Sequence, residues 1–373
     1  MIAAAVALGV AVGPLALAQA PPAKGKVIRG RPKSNLPVKK APNAGDPLAA
    51  QNKDQGAVKA ALAGSFHYRL KIQSLDDTSL AVSYYPGRLD TNTPVILLVH
   101  EKDRSSKDFE DAIAELKGKG LAEHLQSLGY AALTFDLRGH GANARKALAD
   151  RDWPVMSDDL QAVYLFLLDR HNRGELNLAK LGVVALGQGA NLAAAWAYQP
   201  GGAVSSEGRV TDLAALALVS PLPEGVGYTF PALMSALAPR IPVLLMAGER
   251  DGPSHDVLKR IRANVERTRQ NKVELFPSSL HGYKLLRLEP KATTVLTKFL
   301  ESTVKLKTND WEPRYNLSPV TYTDIQIVRH VKPPEPGKAA AKDKPKAKAG
   351  EAEKDAPKAK EEAAADKAEV KDP

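Results

Sequence analysis

Between Phe66 and Thr303 strand-length apolar runs alternate with amphipathic stretches of helical length, and few architectures accept that alternation. "PVILLVH" (Pro94 to His100), "YAALTFDLRGHG", "KLGVVALG", "LAALALVSP", "IPVLLMAGERDG" and "KVELFPS" read as strands. The continuous apolar ones fit strands covered on both faces. "MSDDLQAVYLFLLDRHN", with Ser157 as its N-cap, "SHDVLKRIRANVERTR" and "KATTVLTKFLEST" read as helices. "FEDAIAELKGKGLAEHLQSLG" reads as helical with breaks at its glycines. The pattern predicts an α/β fold: a mostly parallel sheet with helices on both faces. "FHYRLKIQS" and "LAVSYYPG" alternate with period two, which adds an N-terminal antiparallel hairpin.

The most informative junction is Leu181 to Ala197, "LGVVALGQGANLAAAWA", where a buried strand meets an Ala-rich helix. Such strand–turn–helix units present a catalytic nucleophile at the turn. Here the turn is Gly187-Gln188-Gly189, and no register places Ser, Cys or Asp there. A nucleophile at such a turn is held at positive φ, a strain of about 1–3 kcal/mol that glycine escapes.

In order, the chain offers strands ending "LLVHE" and "FDLRGHG", the glycine turn, a strand ending "AGERD", and "LHGY". This succession resembles the α/β-hydrolase superfamily over roughly Phe66 to Thr303, in the style of its dienelactone-hydrolase-like branch. The resemblance implies an acid at Asp251, a base at His281 and a vacant nucleophile position at Gly187. It also implies oxyanion-hole N–H groups at Gln188 and Glu101. With Gly187 leaving space, the Glu101 side chain is within reach of an ion pair with His281. Asp136, Arg138 and Gly139-His140-Gly141 match a structural turn of the family, so His140 is not a catalytic candidate.

The chain of 373 residues is 44% hydrophobic and has no cysteine, which excludes disulfides, thiolate metal sites and a catalytic Cys. Residues 1–18 read as a signal peptide cleaved after Ala18, so the protein is expected to be exported to the periplasm, cell envelope or extracellular space. No later segment approaches a transmembrane span. A Pro/Ala/Lys-rich linker follows at 19–60 and holds much of the formal charge of +10. Basic charge on such an arm implies weak attraction to anionic surfaces, not specific nucleic-acid recognition. The α/β-hydrolase-like domain spans 61–305, and an extension at 306–332 packs on it through its Trp and Tyr residues. There "TYTDIQIVRHV" adds an edge strand. Residues 333–373, rich in Lys, Glu, Ala and Pro, read as a disordered tail.

No phosphate loop, dinucleotide fingerprint or metal-ligand spacing appears, so neither a cofactor nor a metal is expected. Only about twenty residues, Pro221 to Arg240, separate two strands where lids are commonly inserted, which excludes a large cap domain. An open cleft favours a protein or polymer partner. The expected function is that of a non-catalytic binding or scaffold module of hydrolase fold. The alternative is an active hydrolase of ester or amide bonds, using water activated by Asp251 and His281 or another nucleophile. N-terminal sequencing of the exported protein should begin at Gln19, and limited proteolysis should leave a core of about residues 60–330. Cytoplasmic full-length protein would contradict the export reading.

Overall fold

Among the residues described by the computed structural model (66–144, 155–199, 212–314 and 320–330), five strands are buried along their entire length. The segments read as a signal peptide, a linker and a disordered tail lie outside the described residues. The hairpin comes first, with β1 (Phe66–Gln73) and β2 (Ser79–Tyr85) antiparallel. Next come β3 (Val95–Val99), α1 (Lys107–Glu110), α2 (Leu121–Ser127) and β4 (Ala131–Phe135). Then follow α3 (Ser157–Asn172), β5 (Leu181–Leu186), α4 (Gly187–Tyr198) and β6 (Leu213–Val219). A two-residue ladder, β7 (Glu224–Gly225) with β8 (Tyr228–Thr229), leads into α5 (Phe230–Leu237). The remaining elements are β9 (Val243–Gly248), α6 (Gly252–Val265), β10 (Lys272–Phe276), α7 (Gly282–Leu288), α8 (Ala292–Leu300) and β11 (Tyr322–Arg329).

The main sheet has the order β10-β9-β6-β5-β3-β4-β2-β1-β11. Pairings from β4 through β3, β5, β6 and β9 to β10 are parallel, whereas β4–β2, β2–β1 and β1–β11 are antiparallel. The two halves have different chemistry. In the parallel half Ile96, Leu98, Val184, Leu186, Leu244 and Met246 share a core with Leu121 and Leu125 of α2 and Leu296 and Leu300 of α8. The intervening Leu97, Val183 and Leu245 point to the other face and are equally buried. At the antiparallel end β11 is largely exposed, as an edge strand paired only on one side should be.

Connectivity decides where a site can form. After β3 the chain moves outward to β4, and after β4 it crosses back over β3 to β5. Strand order therefore reverses between β3 and β5, which opens a crevice beyond their carboxyl ends. Glu101 follows β3 at that crevice and Gly187 follows β5.

The "DLRGHG" turn ties the loops beside the crevice. Asp136 accepts hydrogen bonds from Ser106 N–H and Ala142 N–H, both at 2.7 Å. Arg138 pairs with the fully buried Asp159 at 2.6 Å and with Asp76 at 2.6 Å. His100 is fully buried, accepts from Leu137 N–H at 3.0 Å on Nε2, and so donates from Nδ1 to the Glu101 carbonyl at 2.8 Å. Burial pushes its pKa down to about 4, and the ring is a neutral strut.

The extension between Leu306 and His330 docks through polar contacts. Trp311 Nε1 donates to the His171 carbonyl at 3.0 Å, and the fully buried Arg170 donates to the Tyr322 hydroxyl at 2.7 Å.

Two local expectations change. Ser157 is the first residue of α3 and not its N-cap: Met156 before it is already in the right-handed helical region, so the helix starts without a side-chain cap. The stretch read as helical with glycine breaks folds as α1, a 3₁₀ turn at Ala114–Leu116 and α2, because Lys117 and Gly118 turn the chain at positive φ.

Gly189 supplies a test of how tightly β3 and α4 approach. A Cβ there would lie 2.1 Å from the His100 carbonyl oxygen, a backbone atom that cannot swing away. Alanine for glycine in a helix ordinarily stabilises by about 1 kcal/mol. Gly189→Ala is expected to do the opposite, lowering stability by about 1–3 kcal/mol in urea melts.

Candidate active site

Gly187 is the first residue of α4 and sits at φ +52°, in the left-handed region that a nucleophile at this turn would have to tolerate. It is buried and carries no side chain toward the crevice. Gln188 follows in the first helical turn, where backbone N–H groups have no intrahelical acceptor.

Asp251 and His281 come from loops after β9 and β10 and meet beside this turn. Asp251 occupies the N-cap position of α6, yet its side chain makes no capping hydrogen bond. Instead Oδ1 accepts from His281 Nδ1–H at 2.8 Å, and Oδ2 accepts from the Ser220 hydroxyl at 2.6 Å. Both carboxylate oxygens are thus committed, and the carboxylate is fixed. Because Nδ1 carries the shared proton, Nε2 is the working nitrogen. It lies 3.5 Å from the point where a Cβ on Gly187 would be. Gly187, Asp251 and His281 thus meet beyond the carboxyl ends of β5, β9 and β10.

The chain has the α/β-hydrolase fold. Its strands β1 to β6, β9 and β10 place Gly187 after β5, Asp251 after β9 and His281 after β10, with β11 appended at the edge. No family model and no curated protein matches the chain. Solved structures similar to it include an esterase from Pyrococcus furiosus, 16% identical, covering 64% of this chain and 92% of that one at a TM-score of 0.48. A dienelactone hydrolase from Anabaena variabilis is 18% identical, covering 64% and 97% at 0.44. An esterase from a Rhodococcus species is 14% identical, covering 63% and 99% at 0.44.

In this hydrolase fold Ser220 is the residue that sequence reading missed. It ends β6 at φ +49°, fully buried, and holds Asp251 from the side opposite His281. The signal in the sequence was only "VSP" after an apolar strand, and nothing in it points to Asp251.

The gap expected beside Gly187 is filled. A Cβ on Gly187 would lie 2.8 Å from the Glu101 Cβ and 2.9 Å from its Oε2. The Glu101 carboxylate accepts from Tyr283 N–H at 3.4 Å and stands 3.7 Å from Arg104 Nε. Arg104 in turn grips the buried Asp108 through three contacts of 2.6–2.8 Å, and its guanidinium lies 4.2 Å from the Tyr283 ring centre. Glu101 is therefore neither a surface residue nor a contributor of backbone alone.

Charges in the site are coupled. The hydrogen bond that His281 donates to Asp251 raises the His281 pKa above the ordinary imidazole value, against desolvation and with help from the Asp251 and Glu101 charges. Burial raises the Glu101 carboxyl pKa, while the His281 charge opposes that shift. Among the described residues no group of three or more His, Asp or Glu side chains is arranged to hold a metal ion. Nor is any helix there long and apolar enough to cross a membrane.

The sign of the pH dependence follows. A histidine whose pKa is raised on folding contributes stability that is complete below its unfolded value, near about 6.5, and is lost as pH rises through the folded value. His281 should titrate above the ordinary range by NMR, and Asp251→Asn should move its titration downward. An unchanged titration in the variant would show that Asp251 does not hold the ring.

Proposed function

We propose that this chain is an exported, non-catalytic protein of α/β-hydrolase fold that binds or scaffolds a partner at the crevice beyond β3 and β5. The observation that carries the reading is the pairing of a fixed Asp251–His281 couple with a side-chain-free Gly187. His281 Nε2 lies 3.5 Å from that residue's Cβ position and has no hydroxyl or thiol there to deprotonate. Covalent acyl transfer needs that nucleophile, and neither the base nor an oxyanion hole substitutes for it.

Glu101 supports the same reading, since its Cβ and Oε2 lie 2.8 and 2.9 Å from the point where a Cβ on Gly187 would be, which crowds out a nucleophilic side chain there. A carboxylate there also disfavours the negative charge that a tetrahedral intermediate would develop beside it. The segment between β6 and β9 supplies a two-residue ladder and one short helix, which leaves the crevice open to a protein or polymer partner. Attraction of the basic linker to an anionic surface would hold the protein near such a partner.

Fluorophosphonate labelling, run beside a panel of esters, tests the proposal. The wild-type protein should remain unlabelled and show no ester turnover that depends on His281. Gly187→Ser alone should also stay unlabelled, because the new side chain meets Glu101. Gly187→Ser combined with Glu101→Ala should label, provided circular dichroism shows both variants folded. Wild-type labelling at another serine would overturn the proposal. So would unlabelled but His281-dependent ester turnover, which would establish water activation by the Asp251–His281 couple.

A further inference from the structure

We propose that the second half of β11 is an acid-sensitive latch, in which His330 fastens to His67 and Glu123 so that protonation frees this half from β1. The inference goes beyond the binding reading, since none of these three side chains belongs to the crevice.

The strand is divided by its own register. Between Arg69 and Lys71 the pairing slips, three steps of β11 from Gln326 to Thr323 standing against two of β1. Asp324 lies in the slip at φ +55°. On the near side of it the strand is anchored: Tyr322 is buried and accepts from Arg170 at 2.7 Å, and Asp324 pairs with Lys71 at 2.7 Å. On the far side Gln326 to Arg329 pair with Arg69 to Phe66, and Gln326, Ile327 and Arg329 are exposed. The side chain that fastens this half is His330, just past its end.

His330 joins a line of three groups. Its Nδ1 donates to Glu123 Oε2 at 3.0 Å, and its Nε2 lies 2.7 Å from His67 Nδ1. Two ring nitrogens facing each other at that distance share one proton. The closed latch therefore holds at most one positive charge on the two rings, because a second proton would set N–H against N–H. His67 is also badly placed to carry that charge. The ring is 4% exposed and stacks on Tyr85 at 4.5 Å, and its Nε2 is buried with no hydrogen-bond partner.

The other charges around the pair are Arg69 on β1, bound to Glu110 of α1 at 3.2 Å, and Lys119, 4.0 Å from Glu123. Arg329, at the end of β11, is exposed. Burial, the His330 charge and the Arg69 charge push the His67 pKa down to about 3.

Opening returns both rings to water and to the ordinary imidazole value near about 6.5. The open state then binds at least one more proton than the closed one. The contribution of the latch is complete above about pH 6.5 and is lost as pH falls toward about 3, with the open-to-closed ratio rising by up to about tenfold per pH unit. The anchored half has no histidine and stays closed. Acid thus bares the edge of β1 from Phe66 to Arg69, and an unpaired edge is the kind of surface that takes up an added strand.

Native-state hydrogen exchange of the full chain between about pH 7 and about pH 5 tests the latch, each protection factor being corrected for the intrinsic rate at that pH. Amides joining Gln326–Arg329 to Phe66–Arg69 should lose about tenfold to thirtyfold in protection across that range. Amides of Tyr322 and Thr323 and of β3 should keep theirs. His67→Asn keeps a polar atom near the place of Nδ1 but does not titrate, so it should abolish the pH dependence. Should that variant fail to fold, His67→Phe carries the same measurement, since it too removes the titrating ring. Wild-type protection that stays level with pH would overturn the proposal, as would a folded His67 variant whose protection falls as steeply as wild type. Loss along the whole of β11 at once would equally overturn it, because the slip would then not divide the strand.

Discussion

The close approach of β3 to the first turn of α4 governs the arrangement of everything around the crevice. Gly189 lets the His100 carbonyl lie 2.1 Å from where a Cβ would be, a separation no other residue permits. The His100 ring then fastens Leu137 N–H beyond β4 and the Glu101 carbonyl in its own loop. One buried neutral imidazole and one glycine therefore set the position of Glu101 relative to Gly187. Any rotation of α4 away from β3 would separate those two residues and dissolve the site.

On this frame the electrostatics are arranged in pairs. Asp251 is fixed between Ser220 and His281, and Arg104 between Asp108 and the Tyr283 ring. Glu101 lies in the field of both cationic partners. In an active hydrolase the couple at Asp251 would pass a proton from a nucleophile to a leaving group. Here the Glu101 side chain stands beside Gly187, and the ion pair expected between Glu101 and His281 does not form, so Glu101 acts on the ring only through its charge.

The fold was legible because each parallel strand is apolar throughout and each is followed by a helical period. A sheet covered on both faces is the packing that hides such strands from water. Asp251, His281 and Gly187 were legible because each stands where a strand of the parallel half gives way to a helix, at the edge of the crevice. The polar end of the molecule was less legible. The N-cap of α3 was misassigned by one residue, since a serine one position into the helix carries the same local signature as a true cap. The break before α2 was marked by Gly118, whereas the neighbouring Lys117, a non-glycine residue at positive φ, had no marker in the sequence.

What the sequence determined by itself is the order of strands and helices and the absence of a nucleophile. Both are properties of consecutive residues: hydrophobic period in the first case, and the chemistry available at one turn in the second. Only the tertiary structure decided what stands in the nucleophile's place. Glu101, Gly187, Ser220 and Gly282 lie on four different connections, and their proximity depends on the crossing of the chain over β3. A side chain's reach across such a crevice is set by backbone separations of a few tenths of an ångström, which no local pattern of residues encodes.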